Sequence, residues 1–260
     1  MSRNLGRLVR DLQRRKARER RGMIVAEGRR LVGEALASGC SVAGLIAAED
    51  AAATTAADPL AEAARRRIET LLLPRQEFDR LADTETPSGV MAVVEWAPAG
   101  LGDIGQLAPG AVLLVLDGVQ DPGNAGTMLR TAHALGAAGT VVLDGTVDVR
   151  SPKVVRGAMG AHFRHRIVEA AFGDFAQWAR ESGVAVHVAT MDGEMLPRVS
   201  RPSTTIALVI GSEGHGTRAG WEELKPVRVA IPMAKGAESL NAGVAAGIML
   251  YAYCSQAAGQ

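Results

Sequence analysis

Ile231–Leu250 reads IPMAKGAESLNAGVAAGIML, and the fold is decided by how this stretch is read. A β-branched run, Val227–Ile231, meets Pro232 and gives way to an irregular segment. Ser239 and Asn241 then supply helix-cap chemistry before a run of small apolar residues. Strand, loop, cap and core helix is the plainest reading, and the strand-like run suggests a segment buried near a sheet.

Upstream of this stretch, strands and helices alternate. Ala111–Leu116 is continuously apolar, the mark of a strand covered on both faces of a parallel sheet. Helices are expected at Thr127–Leu135, Pro152–Met159 and Phe172–Glu181, with a helical turn at Arg218–Leu224 and a closing helix at Asn241–Ser255. The expected strands are Gly139–Leu143, Arg166–Val168, Val184–Ala189, Thr205–Ile210 and Val227–Ile231. Such an α/β chain makes a doubly wound parallel sheet, whose ligands lie beyond the carboxyl ends of the strands.

The best linker is Ala97–Gly110, rich in Gly and Pro. Before it, residues 1–96 read as a smaller α/β unit. Strands fall at Met23–Ala26, Val42–Ala47, Ile68–Leu73 and Val90–Trp96. One helix is expected across 3–21, one at Arg29–Ser38 closed by Gly39, and shorter ones after Pro59 and at Glu77–Leu81. The organisation expected is therefore 1–96, a linker at 97–110, and 111–260.

Charge is distributed unevenly. The 260 residues carry a net +1, yet residues 1–30 hold 11 basic and 3 acidic side chains, a balance of +8, and the remainder carries −7. A basic arm on an acidic body is a footprint for nucleic acid, and also what a solvated tail looks like. No apolar run reaches the roughly 18–20 residues of a membrane span. Cys40 and Cys254 are distant and outside any CxxC spacing, and the five His show no ligand spacing. No metal and no membrane are expected, and a reducing cytoplasm fits.

Three polar or Gly-rich segments follow three of the strands. They are Asn124–Ala132 (NAGTMLRTA), Gly211–Gly216 (GSEGHG) and Ile231–Asn241 (IPMAKGAESLN). Neither a GxGxxG fingerprint nor a GxxxxGK[ST] loop is present, which argues against a dinucleotide-binding protein. Taken singly, Asn124 reads as a turn or cap residue, Arg130 as a surface Arg and Glu213 as a helix-start acid. Together and in this order, the segments resemble the three motifs of the SpoU (TrmH-type) RNA ribose 2′-O-methyltransferases of the SPOUT class. Residues 3–96, with Gly22–Leu36 (GMIVAEGRRLVGEAL), resemble that family's L30e-like RNA-binding module.

The resemblance implies a C-terminal SPOUT domain with a parallel sheet and a deep trefoil knot, a feature otherwise almost absent from proteins. It implies S-adenosylmethionine as cofactor, held by backbone near Gly211, Ile231, Met233 and Leu240, with Thr190 bordering the pocket. It implies ribosomal or transfer RNA as substrate and a homodimer, to which Leu250, Tyr251 and Tyr253 offer area unless the chain's own core takes them. Asn124, Arg130, Glu213, Ser239 and Asn241 match the family's polar site residues, Glu213 being expected to orient Arg130 or Asn124. A guanidinium keeps its proton at ordinary pH. Arg130 is therefore expected to pin a phosphate and stabilise a developing alkoxide. The competing reading is a non-catalytic RNA-binding or ribosome-assembly factor on the same fold.

Overall fold

Tertiary contacts divide the chain, and a computed structural model describes its residues 3–196, 203–236 and 238–255. One unit runs to Ala97 and includes Asp148–Arg164; the other holds Pro98–Val147 and the chain from His165 onward.

In the first unit, α1 (Arg3–Leu12) and α2 (Arg15–Arg21) replace the single helix expected across 3–21. Gln13 and Arg14 break it, and Arg18 folds back so that its Nη1 donates to the carbonyls of Leu12 and Gln13, both at 2.8 Å. Leu5, Val9 and Leu12 are buried in the core of this unit. The arm is thus packed structure and not a solvated tail, because its apolar stripe covers the sheet. The sheet has the order β1-β4-β2-β3, from Met23–Glu27 (β1), Val42–Ala48 (β2), Thr70–Leu73 (β3) and Val90–Glu95 (β4). Helices α3 (Arg29–Ala37), α4 (Ala57–Arg65) and α5 (Arg75–Asp79) connect the strands.

Asp148–Arg164 packs with this unit although it lies beyond the expected linker. A buried ion pair fastens it: Arg18 Nε and Nη2 donate to Asp148 Oδ2 at 3.0 and 2.6 Å. Two charges taken from water hold only when paired and further hydrogen-bonded. Here Arg18 also serves two carbonyls, and Asp148 Oδ1 accepts from the Arg150 amide at 3.0 Å.

In the second unit the sheet has the order β10-β8-β9-β5-β6-β7, and every pairing is parallel. The strands are β5 (Val112–Asp117), β6 (Gly139–Leu143), β7 (Ile167–Ala170), β8 (Ala185–Met195), β9 (Ile206–Gly211) and β10 (Val227–Ala230). All six residues of β5 are buried, as its unbroken apolar run requires. Helices are α6 (Pro122–Ala134), α8 (Phe172–Glu181) and α9 (Ala242–Ser255), while α7 (Pro152–Gly157) belongs with the first unit. The expected linker is partly built in: Ala99 pairs with Val168, and Ile104 is buried while its carbonyl accepts from Arg166 Nη1 at 2.6 Å. No described helix is long and apolar enough to cross a membrane.

His162 lies within the first unit, with Nε2 at 2.7 Å from the Val149 carbonyl and its ring edge-on to Trp96. A carbonyl only accepts, so Nε2 carries the proton, and buried Nδ1 has no partner. Burial pushes His162 down to about 4, against the Val149 hydrogen bond and the Asp148 charge. Its contribution to stability is fully present above the ordinary His range near 6.5 and is lost as pH falls from there through about 4. Proton NMR of the imidazoles should show one ring, adjacent to Trp96, that stays neutral at pH 5. A midpoint near 6.5 for that ring would contradict the assignment.

Candidate functional site

The carboxyl ends of β5, β8, β9 and β10 lead into the segments that carry the motifs. At the end of β5, α6 begins five residues earlier than the sequence suggests. Asp121 caps it, its Oδ1 accepting from the Asn124 amide at 2.7 Å, and Pro122 occupies the first helical position. Asn124 therefore sits in the first turn of a helix and not in a loop. After β9, the segment Ser212–Gly216 turns back on itself, with the Ser212 and Gly216 amides each donating to the other's carbonyl at 3.0 Å. A Cβ on Gly211 would lie 2.4 Å from the Gly216 backbone, so only glycine lets the turn close. After β10, residues 231–241 are half-buried or exposed where described, not buried as the strand-like run suggested.

Asn241 ends that segment as the cap of α9: its Oδ1 accepts from the amides of Gly243 and Val244 at 3.0 and 3.2 Å. Its Nδ2 donates to Asn124 Oδ1 at 3.0 Å, and Asn124 Nδ2 donates to Glu213 Oε1. Three motifs scattered along the sequence thus meet in one hydrogen-bonded chain. Glu213 engages Asn124 and not Arg130. Helix α9 packs on α6 at this point. A Cβ on Gly243 would touch Asn124 and Thr127, and one on Gly247 would touch Thr131, so the two glycines admit a close helix approach.

Beside this chain lies a cavity of about 580 Å³, within the range of small-molecule sites. Gly211, Ile231, Met233 and Leu240 line it, as do Glu213, Ser239 and Asn241. Asn124 reaches it through its partners. Arg130 is not among the lining residues; on α6 it is exposed, and it makes no hydrogen bond or ion pair among the described residues.

Thr190 lines the cavity too, with a buried hydroxyl that has no partner. Sequence reasoning missed Met191 and Asp192, which stand beside it. Their placement comes from an irregularity in β8. Its pairing with β10 jumps from Val188 opposite Arg228 to Glu194 opposite Val229. Residues 189–193 leave the ladder; the first four supply one wall, and a Cβ on Gly193 would fall 2.5 Å from the Arg228 carbonyl carbon. The only hint in sequence was Gly193, because nothing in periodicity marks a register jump.

The lining suits a particular chemistry. It is largely apolar, with the orphan hydroxyl of Thr190 for an orienting contact. Among the described residues its charged members are Asp192 and Glu213, with no Lys or Arg in the lining, and Asp192 lies 3.8 Å from Arg228 Nη1. Two carboxylates facing a partly apolar space favour a ligand that carries positive charge. Among the described residues no cluster of three potential metal ligands occurs.

Two families account for most of the chain. The SpoU rRNA Methylase family matches residues 111–251, and the MRM3-like substrate binding domain matches residues 7–92. The chain is 32% identical to a 23S rRNA (guanosine(2553)-2′-O)-methyltransferase of Bacillus subtilis, over 92% of each protein. It is similar to an AdoMet-bound rRNA methyltransferase from Sinorhizobium meliloti, with TM-score 0.85, 29% identity, and 97% and 94% of the two chains covered. It is also similar to AviRb, a SpoU methyltransferase from Streptomyces viridochromogenes in complex with AdoMet, with TM-score 0.86, 28% identity, and 100% and 99% covered.

Proposed function

The chain belongs to the SpoU rRNA methylase family, and on that premise we propose how its own residues carry out the reaction. The protein is an S-adenosylmethionine-dependent RNA ribose 2′-O-methyltransferase, with ribosomal RNA the favoured substrate. What carries the residue assignment is the convergence of Asn124, Glu213 and Asn241 beside a cavity lined by Gly211, Ile231, Met233 and Leu240. Apolar contacts, the free Thr190 hydroxyl and backbone groups hold the cofactor, and the carboxylates of Asp192 and Glu213 complement its charge. When bound, S-adenosylmethionine supplies a methyl group on positive sulfur, open to attack by the ribose 2′-oxygen.

Arg130, outside the cavity and without an ion pair among the described residues, is on the RNA side of the reaction. Its guanidinium pins a phosphate next to the target ribose in two-pronged fashion and steadies the 2′-oxygen as negative charge develops. The hydroxyl proton passes to water. Asn124 and Glu213 keep the first turn of α6 fixed, and with it the helix that bears Arg130. Ser239 shapes the lip where ribose meets cofactor.

The division into an RNA-binding module over 1–96, a linker over 97–110 and a knotted catalytic domain over 111–260 is part of the same reading. Support for the threaded chain comes from α9, which returns from edge strand β10 to pack on α6 and on the central strands β5 and β9. A homodimer is supported by the apolar stripe Val244, Ile248 and Tyr251, exposed by 51, 40 and 64%. An apolar helix face of this kind is normally covered by a partner. Leu250 and Tyr253 take no part, since both are buried, Tyr253 against His187. A ribosomal RNA substrate fits a cytoplasmic protein. In the first unit, Arg14, Arg20 and Arg21 are all drawn to Asp11, whereas exposed Arg7 and Arg10 have no ion-pair partner among the described residues. They are two of the cations offered to phosphate, with exposed Lys16 and Arg30 among the others.

Arg130→Ala should lower methyl transfer to unmodified ribosomal RNA by about 10²–10³-fold while cofactor affinity, read by calorimetry, stays within about twofold. Full activity in that variant would remove Arg130 from the mechanism. Reversing Arg7 and Arg10 to Glu should weaken RNA binding and flatten the slope of log K against log salt by about 0.9 for each phosphate no longer neutralised; an unchanged slope would leave the arm out of the interface. Ile248→Asp should halve the mass seen by sedimentation, and an unaltered mass would place the dimer contact elsewhere.

A further inference from the structure

The cavity's Gly211–Thr217 segment is held at both ends by one residue. At its incoming end, Gly211 pairs with Asp117 in the β9–β5 ladder. At its outgoing end, Arg218 returns to the same residue: its amide donates to Asp117 Oδ2 at 2.9 Å and its Nε to Oδ1 at 2.6 Å. The Asp117 carboxylate is buried, and Trp221 Nε1 also donates to it at 2.8 Å. The rest of the Arg218 guanidinium spans outward. Nη1 reaches the Asp144 carboxylate at 3.2 Å, Nη2 donates to the Asp144 carbonyl at 2.7 Å, and the group lies over the Phe172 ring, 4.9 Å from its centre.

We infer that Arg218 is a positioning residue for the cofactor loop, a clasp that sets Ser212–Thr217 against the cavity. The inference rests on the proposed reading of the cavity as the cofactor site. Between its ends the loop has few other restraints: the Ser212–Gly216 bridge, the His215 amide to Ser212 Oγ at 3.2 Å, and the Glu213–Asn124 bond. The first two lie inside the loop and fix its shape but not its location. Location is set by Asp117 at the ends and Asn124 at the tip. Arg218 bonds neither to α9 nor to Arg130, and the loop's one link toward α6 is the Glu213–Asn124 bond, so its effect falls first on cofactor binding and only through that bond on the RNA side. A Lys at 218 would reach a single carboxylate, because the fork that serves Asp117 and Asp144 together is specific to guanidinium.

The test compares wild type with Arg218→Met, Arg218→Lys and Asp144→Asn. Affinity for S-adenosylmethionine is measured by calorimetry, and KM for cofactor and for RNA is measured separately. Arg218→Met should weaken cofactor binding by about tenfold or more and raise the cofactor KM in step, with the RNA KM within about twofold. Arg218→Lys should recover part of the loss. Asp144→Asn takes the charge from the outer, exposed partner while keeping an oxygen for the Phe172 amide and the carbonyl that Nη2 reaches; it should show a smaller loss of the same kind, and it keeps the test decisive if Arg218→Met does not fold. Trp221 emission reports whether the Asp117 carboxylate has lost its setting. Unchanged cofactor affinity in the folded variants, or equal rises in both KM values, would overturn the role. Wild-type protein that fails to bind S-adenosylmethionine would instead overturn the reading of the cavity.

Discussion

The direction of the hydrogen bonds through Asn124 is fixed from both ends. At one end stand helix amides, which only donate; at the other stands a carboxylate, which only accepts. Between them the amides of α9 donate to Asn241, Asn241 donates to Asn124, and Asn124 donates to Glu213. Each Asn therefore has a single orientation that satisfies its neighbours. An Asp at either position would set acceptor against acceptor. The start of α6, the loop after β9 and the cap of α9 are held in register by this chain, and the cavity wall is defined by the last two of those segments.

The sheet makes such a junction possible. Every strand of the second unit runs the same way, so the loops after β5, β9 and β10 all emerge at one edge. The apolar runs that bury β5 and β9 set their position with little freedom. Fine adjustment is left to close approaches at Gly211 and Gly243, where a methyl group would collide or crowd. Stability is thus concentrated in the strands and geometry in the glycines and amides, and the two meet at the strand ends.

Much of this could be read from the chain before any coordinates. Buried parallel strands announce themselves as unbroken apolar runs, and α8 falls at Phe172–Glu181 as its pattern predicts. The motif residues stand out only as a set, through their resemblance to the family's three motifs; singly, each has an ordinary turn, cap or surface reading. What stayed hidden was long-range or directional. That Glu213 meets Asn124 and not Arg130 depends on where two loops land. The break in the arm at Gln13 and Arg14 depends on Arg18 turning back to cap α1, a tertiary choice made jointly with Asp148. The early start of α6 was legible in Asp121-Pro122, an N-cap followed by a first-turn proline, and periodicity alone obscured it.

The five residues of β8 that leave the ladder between Val188 and Glu194 carry a consequence of a different order. Because pairing with β10 resumes at Val229 immediately after Arg228, the excursion sits on one strand alone. Apart from Gly193, where no side chain fits against the Arg228 backbone, its residues can change without shifting a ladder hydrogen bond on either side. The contour of the pocket at Thr190, Met191 and Asp192 is therefore tied to β10 at two points, the close approach of Gly193 to the Arg228 backbone and the ion pair of Arg228 with Asp192 at 3.8 Å, and is outside the ladder elsewhere. A lineage descended from this chain has room there to reshape what the pocket accepts, at little risk to folding.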